Sequence, residues 1–319
     1  IINPLTVNSC TAALHLSLIL SNVSGKEVIL PSQTFIATGL AVVMANAKPV
    51  FCDINMEGNI DDLEISDLIN ENTAAIIVVH WAGNPAHMSE LQKIQKQHPH
   101  IKIIEDAAHA FGGTYYNQTI GSISDFTCFS FQCIKSLTCG DGGLLACKSH
   151  EDYLRARKLR WFGIDKNTLK YSEDGSRNFD VKELGYKYHM NDLDASILLG
   201  NLSNIDERLL KRKNNYNLFK KELNKDNRLV QFNHHEGSTN WLYNCLCYNK
   251  MDFIRAMRSR GVPISAADKG IHKNTIFQQN GLNLPMQSIY DDRQVNIPVH
   301  EDLTDDDIEL IINSYNKGW

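Results

Sequence analysis

Apolar runs of β type alternate with helical patterns from residue 12 to about residue 112, and this alternation restricts the fold more than any other feature. The runs EVILP, PVFCDI, AAIIVVH and IKIIEDA are apolar at successive positions, which indicates strands buried on both faces. Two further β-type runs, DFTCFSF and GGLLACK, follow them. The sequence therefore predicts an α/β fold in which helices cover a mainly parallel sheet.

The chain length of 319 residues, with 43% hydrophobic content, suits one large domain and a smaller one. We predict a large α/β domain over residues 1–200 and a small α+β domain over residues 201–319. A long helical pattern with Asn191 as its N-cap is expected to carry the chain from one to the other. The basic residues at 211–221 are interpreted as a solvated face of this helix, and residues 164–182, which lack apolar periodicity, as a mobile loop.

Charge and composition argue against nucleic acid and membrane partners. The formal net charge is −5 and the pI is near 6.2, without any long basic stretch. No apolar stretch is long enough to cross a bilayer, and no signal segment opens the chain. The eight cysteines form no C-x-x-C pair and the histidines have no metal-site spacing, which predicts a reduced cytoplasmic protein without a metal. Because the sequence enters patterned structure almost at Ile1, we expect that an upstream segment is missing.

Three features together point to pyridoxal phosphate (PLP) as cofactor. Lys135 in QCIKSLTCG has small and uncharged neighbours, as a lysine that forms a Schiff base requires. Asp106 ends an apolar strand, where a buried carboxylate keeps a pyridinium nitrogen protonated. The small-residue turn Ser9, Cys10 and Thr11 precedes an apolar helix, whose N-terminus suits a phosphate, with an ordinary N-cap as the alternative. No G-x-G-x-x-G follows a strand and no P-loop motif occurs, which disfavours nicotinamide and nucleoside triphosphate chemistry.

The motifs resemble those of one enzyme family along nearly the whole chain. NSCTAALHLSL, PSQTFIATGLAVVMANAKPVFCDI, VVHWAGNPAHM, IIEDAAHAFGGTY, CFSFQCIKSLTCGDGGLL and LGYKYHMNDLDASI are similar, in order, to blocks of the DegT/DnrJ group. These are sugar-nucleotide aminotransferases of PLP fold type I. The resemblance implies a seven-stranded-type, mostly parallel sheet, PLP as cofactor and a homodimer with shared active sites.

The resemblance also implies a role for each matching residue. Lys135 is expected to form the Schiff base and then to move the proton, while Asp106 holds the pyridinium nitrogen. His109 stands where many members have a glutamine that touches the ring hydroxyl. Phe35 is expected to stack on the ring, with ordinary packing as the alternative. The residues expected at the phosphate are Ser130, Cys10, Thr11 and, reaching from the neighbouring subunit, Lys187.

By this resemblance the chain transfers the amino group of L-glutamate to a keto group of a nucleotide-linked 6-deoxyhexose. HWAGNP and GYKYHMND are similar to members that aminate C4, with perosamine- or viosamine-type products. His80 and His272 are candidates for substrate contacts. Amination at C3, a PLP-dependent sugar dehydratase and a non-catalytic PLP-binding regulator stay open as alternatives; the dehydratase is disfavoured because such members have histidine in place of Lys135. The residues do not separate GDP, UDP and dTDP.

Overall fold

The computed structural model describes residues 1–224, 226–279 and 281–319. Its α-helices are α1 Cys10–Leu20, α2 Ile36–Met44, α3 Ile65–Leu68, α4 Met88–Gln97, α5 His150–Leu159, α6 Asp192–Leu202, α7 Ile205–Glu222, α8 Lys250–Ser259, α9 Pro285–Arg293 and α10 Asp305–Asn316. Its strands are β1 Pro4–Val7, β2 Glu27–Pro31, β3 Lys48–Cys52, β4 Thr73–Val79, β5 Lys102–Asp106, β6 Thr114–Tyr115, β7 Gln118–Thr119, β8 Phe126–Ser130, β9 Gly143–Cys147, β10 Lys170–Tyr171, β11 Arg177–Asn178, β12 Leu229–Gln231, β13 Tyr243–Cys247 and β14 Gln294–Ile297.

The large sheet has seven strands in the order β1-β9-β8-β5-β4-β2-β3. Strands β3, β2, β4, β5 and β8 pair in parallel, whereas β9 is antiparallel to both β8 and β1. Strand β9 is therefore antiparallel to the other six strands of this sheet. The predicted α/β fold with a mostly parallel sheet is confirmed.

Helices cover both faces of this sheet, as the apolar strands require. In β4, Ala75 and Ile77 pack in the same buried cluster as α1 and α2. The alternate residues Ile76 and Val78 pack in a second cluster, with α4. Because successive side chains of a strand point to opposite faces, one strand contributes to both cores.

The small sheet, β12-β13-β14, is antiparallel and has its own core. Phe219 of α7, Phe253 of α8 and Tyr315 of α10 pack together with its strands. The C-terminal α+β unit thus buries apolar surface separately from the large sheet. The segment just before strand β13 contacts the large domain, because the Leu242 N–H donates a hydrogen bond to the carbonyl of Ala82.

The structure differs from the sequence prediction in several places, one of which is that Arg212, expected on a solvated helix face, is buried against Glu301. The expected single long helix is two helices, because α6 ends at Leu202 and α7 begins at Ile205. Residues 164–182, expected to form only a loop, contain the short hairpin β10-β11. Within the C-terminal part, Ile271 and Phe277 pack in the large-sheet core, so that part of residues 201–319 lies on the large domain. The division at residue 200 stays a prediction and falls at the end of α6.

Candidate active site

A cavity of about 550 Å³ lies beyond the carboxyl ends of β4, β5 and β8. Open sheets of this kind bind ligands at that edge. The structure brings to this cavity seven of the residues that the sequence singled out, namely Cys10, Thr11, Phe35, Asp106, His109, Ser130 and Lys135. Residues of the C-terminal part of the chain also line the cavity, among them Trp241, Ser265 and Asn296.

The N-terminus of α1 forms one wall of the cavity. Ser9 caps the helix, and its hydroxyl accepts a hydrogen bond from the Ala12 N–H at 3.1 Å. Cys10 and Thr11 are the first residues of the helix, and Ser130 at the end of β8 lines the same cavity. Backbone N–H groups of a first helical turn have no partner within the helix, so this wall suits the phosphate of a cofactor.

Gly143 of β9 lets the start of α1 approach the sheet. A Cβ atom at this position would lie 2.5 Å from the carbonyl carbon of Ser9 and 2.6 Å from the Cys10 nitrogen. Contacts this short require the backbone to move. The glycine turn GDGG therefore positions the phosphate wall as well as ending the Lys135 loop.

Asp106 at the end of β5 presents a buried carboxylate to the cavity. Its Oδ2 accepts a hydrogen bond from Thr38 Oγ1 at 2.7 Å, and its Oδ1 accepts one from the Ala108 N–H at 3.1 Å. Burial raises the pKa of Asp106, while these hydrogen bonds and the charge of Lys135 act to lower it. The two donors thus support the ionised form in a site that disfavours charge.

Lys135 lies in the loop between β8 and β9 with its amine inside the cavity. Burial lowers the pKa of Lys135 to about 8, and Cys10 and Asp106 oppose that shift. The share of neutral amine near neutral pH is therefore far larger than for an ordinary lysine, as a nucleophilic lysine needs. The Nζ atom lies 4.1 Å from the centroid of the Trp241 ring.

His109 stacks on Trp241, with ring centroids 3.7 Å apart and planes 16° apart. Burial first, and then the nearby Lys135 charge, place the pKa of His109 well below its ordinary value, so the imidazole is neutral. Its Nδ1 is buried and has no hydrogen-bond partner among the described residues. A buried nitrogen without a partner can form a hydrogen bond with a polar group of a bound ligand.

Two histidines that the sequence offered as substrate contacts lie elsewhere. His80 is fully buried, its Nε2 is 2.8 Å from Glu105 Oε2, and its Nδ1 accepts a hydrogen bond from the Ala86 N–H. Both ring nitrogens are thus occupied, so the interpretation of His80 as a substrate contact is wrong. His272 is buried beside Phe51 and is not among the residues that line the cavity of its own chain.

Lys187 is exposed and pairs through its backbone with Trp161, outside the cavity of its own chain. A role at the phosphate of a neighbouring subunit requires this exposed position, and it stays a prediction.

Sequence reasoning missed Thr38 and Trp241. Thr38 follows Phe35 by three residues in TFIAT, a spacing that places both on one side of a helical turn, so its proximity to the site was predictable. Trp241 has no such signal, because only the packing of the C-terminal part on the large sheet brings it to Lys135.

The donor set fits PLP: an amine of lowered pKa, a buried carboxylate, a helix N-terminus and a neutral imidazole with a free nitrogen. Together with the mostly parallel sheet, this site defines an enzyme of PLP fold type I. The sequence model of the DegT/DnrJ/EryC1/StrS aminotransferase family matches residues 3–316. The chain belongs to this family, and the resemblance noted in the sequence is confirmed.

Known proteins are similar over almost the whole chain. The UDP-4-amino-4,6-dideoxy-N-acetyl-β-L-altrosamine transaminase of Campylobacter jejuni is 29% identical, with 96% of this chain and 82% of the relative covered. The crystal structure of the sugar aminotransferase CalS13 of Micromonospora echinospora has a TM-score of 0.94 at 27% identity, covering 99% of this chain and 88% of that one. The PLP form of Spr1654 of Streptococcus pneumoniae, assigned as a sugar aminotransferase, has a TM-score of 0.89 at 26% identity, covering 98% and 86%.

The chain is therefore a PLP-dependent sugar aminotransferase. None of the helices in the described ranges is long and apolar enough to span a membrane. The same residues contain no group of three or more histidine, cysteine or acidic side chains arranged to hold a metal ion.

Replacing Thr38 with valine is expected to weaken PLP binding, because Asp106 loses a hydrogen bond and its pKa rises further. Hydrogen bonds to charged groups contribute about 1.5–3 kcal/mol, so the Kd for PLP should increase about tenfold or more. Titration of the apoenzyme with PLP, followed by absorbance, measures this. The control is Thr73→Val, which also removes a buried hydroxyl but lies at the end of β4 that is far from the cavity. An unchanged Kd in Thr38→Val would contradict the role given to Thr38.

Proposed function

We propose that this enzyme transfers the amino group of L-glutamate to C4 of a nucleotide-linked 4-keto-6-deoxyhexose. The product is a 4-amino-4,6-dideoxyhexose of the perosamine or viosamine type. The observation that carries amino transfer is the Lys135 amine, with a pKa of about 8, in one cavity with the Asp106 carboxylate. The choice of C4 is supported by the Campylobacter relative, whose name describes a UDP-linked 4-amino-4,6-dideoxy sugar.

When bound, PLP supplies an electron sink that stabilises negative charge on the carbon that carries the nitrogen. Asp106 faces the cavity with its carboxylate held by Thr38 and Ala108, as stabilisation of a cationic ring nitrogen requires. The start of α1 and Ser130 are positioned to bind the phosphate. Phe35, whose side chain is 63% exposed at the rim of the cavity, is free to cover the ring.

Lys135 is the acid and base of the reaction. In the first half its Nζ takes the proton from Cα of glutamate and would return it to the cofactor carbon that gains the amino group; in the second half it would take a proton back from that carbon and deliver one to C4 of the sugar. Glutamate leaves as 2-oxoglutarate with an oxygen taken from water, and the keto oxygen of the sugar leaves as water. Because the pKa of Lys135 is near the operating pH, both directions of proton transfer are accessible.

We place this reaction in the cytoplasm, since all eight cysteines are free thiols in the structure.

The direct test is to incubate the enzyme with PLP, L-glutamate and a panel of GDP-, UDP- and dTDP-linked 4-keto-6-deoxy sugars and 3-keto isomers. We expect an amino sugar with nitrogen at C4, identified by mass spectrometry and NMR, together with an equal amount of 2-oxoglutarate. The Lys135→Ala variant is the control and should form neither. Nitrogen at C3 would refute the proposed position. Formation of 2-oxoglutarate without any amino sugar would refute this substrate class but leave amino transfer standing.

We further propose that the enzyme is a homodimer with shared active sites. Helix α6 is apolar, yet none of its residues is buried, and Leu193, Ile197 and Leu199 are 78%, 51% and 70% exposed. Leu193 and Ile197 are four residues apart and so lie on one side of the helix, and exposed apolar side chains of this kind are typical of a surface that another molecule covers. Lys187 lies shortly before this helix on the same exposed segment, which suits a second copy of the chain as the partner.

Hybrid dimers test the sharing. Lys135→Ala and Lys187→Glu subunits should each be inactive alone, because each lacks one component of every site. After mixing and reassociation, about a quarter of the sites combine an intact Lys135 with an intact Lys187 of the other subunit, so about a quarter of wild-type activity should return.

Lys182→Glu, a neighbouring exposed lysine, is the matched control and should be active alone. Absence of recovery in the mixture, with dimers present by analytical ultracentrifugation, would contradict a role for Lys187 across the interface.

A further inference from the structure

The free amine of Lys135 rests on an aromatic face. Its Nζ lies 4.1 Å from the centroid of the Trp241 ring, well within the range of a cation–π interaction. Trp241 belongs to the segment before β13, whereas Lys135 belongs to the loop between two strands of the large sheet. The contact therefore joins the C-terminal part of the chain to the lysine that carries the chemistry.

Trp241 is held by contacts of both its backbone and its ring. The backbone carbonyl of Trp241 accepts a hydrogen bond from the Arg212 guanidinium at 2.9 Å, and Arg212 is buried in an ion pair with Glu301. Next to it in the chain, the Leu242 N–H donates to the carbonyl of Ala82. The ring itself stacks on His109 at 3.7 Å.

Thr239, two residues before Trp241, adds a link to the other ring of this stack. Its hydroxyl donates a hydrogen bond to the carbonyl of His109 at 2.6 Å. The two stacked rings are thus tied to each other through the backbone as well. Trp241 is thus held both at its backbone and, through the stack on His109, at its ring.

An indole face discriminates between the two forms of an amine. The ring quadrupole attracts an ammonium ion, whereas a neutral amine gains little from it. The other titratable groups that face Lys135 are Cys10, Asp106 and His109, and Asp141 and Asp268 line the same cavity. Burial favours the neutral amine, so the indole acts in the opposite direction to desolvation.

We propose that Trp241 is a positioning residue for Lys135, which holds the free amine over the indole face and favours its ammonium form over its neutral form. Within each half of the reaction, a proton that Nζ has taken up is thereby kept at the site until Lys135 delivers it. This role goes beyond the proposed function and does not depend on which sugar is aminated.

The test uses the apoenzyme, so that it does not depend on activity. The rate at which a limiting amount of trinitrobenzenesulfonate modifies Lys135 is measured against pH, with the modified peptide quantified by mass spectrometry. We expect the apparent pKa of Lys135 to fall in the order wild type, Trp241→Phe, Trp241→Leu, with the leucine variant lower than wild type by at least about half a unit, or threefold in the protonation equilibrium. Trp319→Leu removes a similar contact, with Arg228 at 4.2 Å, and should leave Lys135 unchanged.

A second measurement leaves Trp241 intact. The indole emission of the wild-type apoenzyme should change with pH around the pKa of Lys135, and Lys135→Met should lose this inflection. An unchanged or raised Lys135 pKa in Trp241→Leu would overturn the proposal, and so would an inflection that persists in Lys135→Met. Should the leucine variant not fold, Trp241→Phe and the emission titration decide the matter.

Discussion

The interaction on which the site depends is that between the buried carboxylate of Asp106 and the half-buried amine of Lys135 in one cavity. Desolvation acts against charge on both Asp106 and Lys135, raising the pKa of the first and lowering that of the second. Hydrogen bonds from Thr38 and the Ala108 N–H oppose this effect on the carboxylate, and the pKa of the amine stays at about 8. One environment therefore provides both a carboxylate with two donors, suited to a cationic ring, and a lysine that accepts and returns a proton.

The fold delivers these groups to one edge because parallel strands end together. Asp106 is the last residue of β5 and Ser130 the last of β8, and these strands are hydrogen-bonded neighbours. The same regularity made this part of the site predictable from the sequence. The signals were local: apolar strand runs, a strand-end aspartate and a helix start with small residues. As these signals indicated, the structure places Lys135, Asp106 and the start of α1 in one cavity.

Long-range packing was not predictable in this way. His80 also lies at the end of a strand, yet Glu105 and Ala86 occupy its ring, because neighbouring residues of a strand face opposite sides of the sheet. Arg212 was interpreted as part of a solvated helix face and is instead buried against Glu301 and the carbonyl of Trp241. Both errors arise because residue type and spacing do not show which distant segment covers a side chain.

We propose that Lys135 is the lysine that binds PLP. Reduction of the PLP-loaded enzyme with borohydride, followed by digestion and mass spectrometry, tests it most directly, because reduction makes the bond between the amine and the aldehyde permanent. We expect the pyridoxyl mass on the peptide that contains Lys135 and on no other peptide. A label on a different lysine, or an enzyme that binds PLP without any reducible bond, would contradict it.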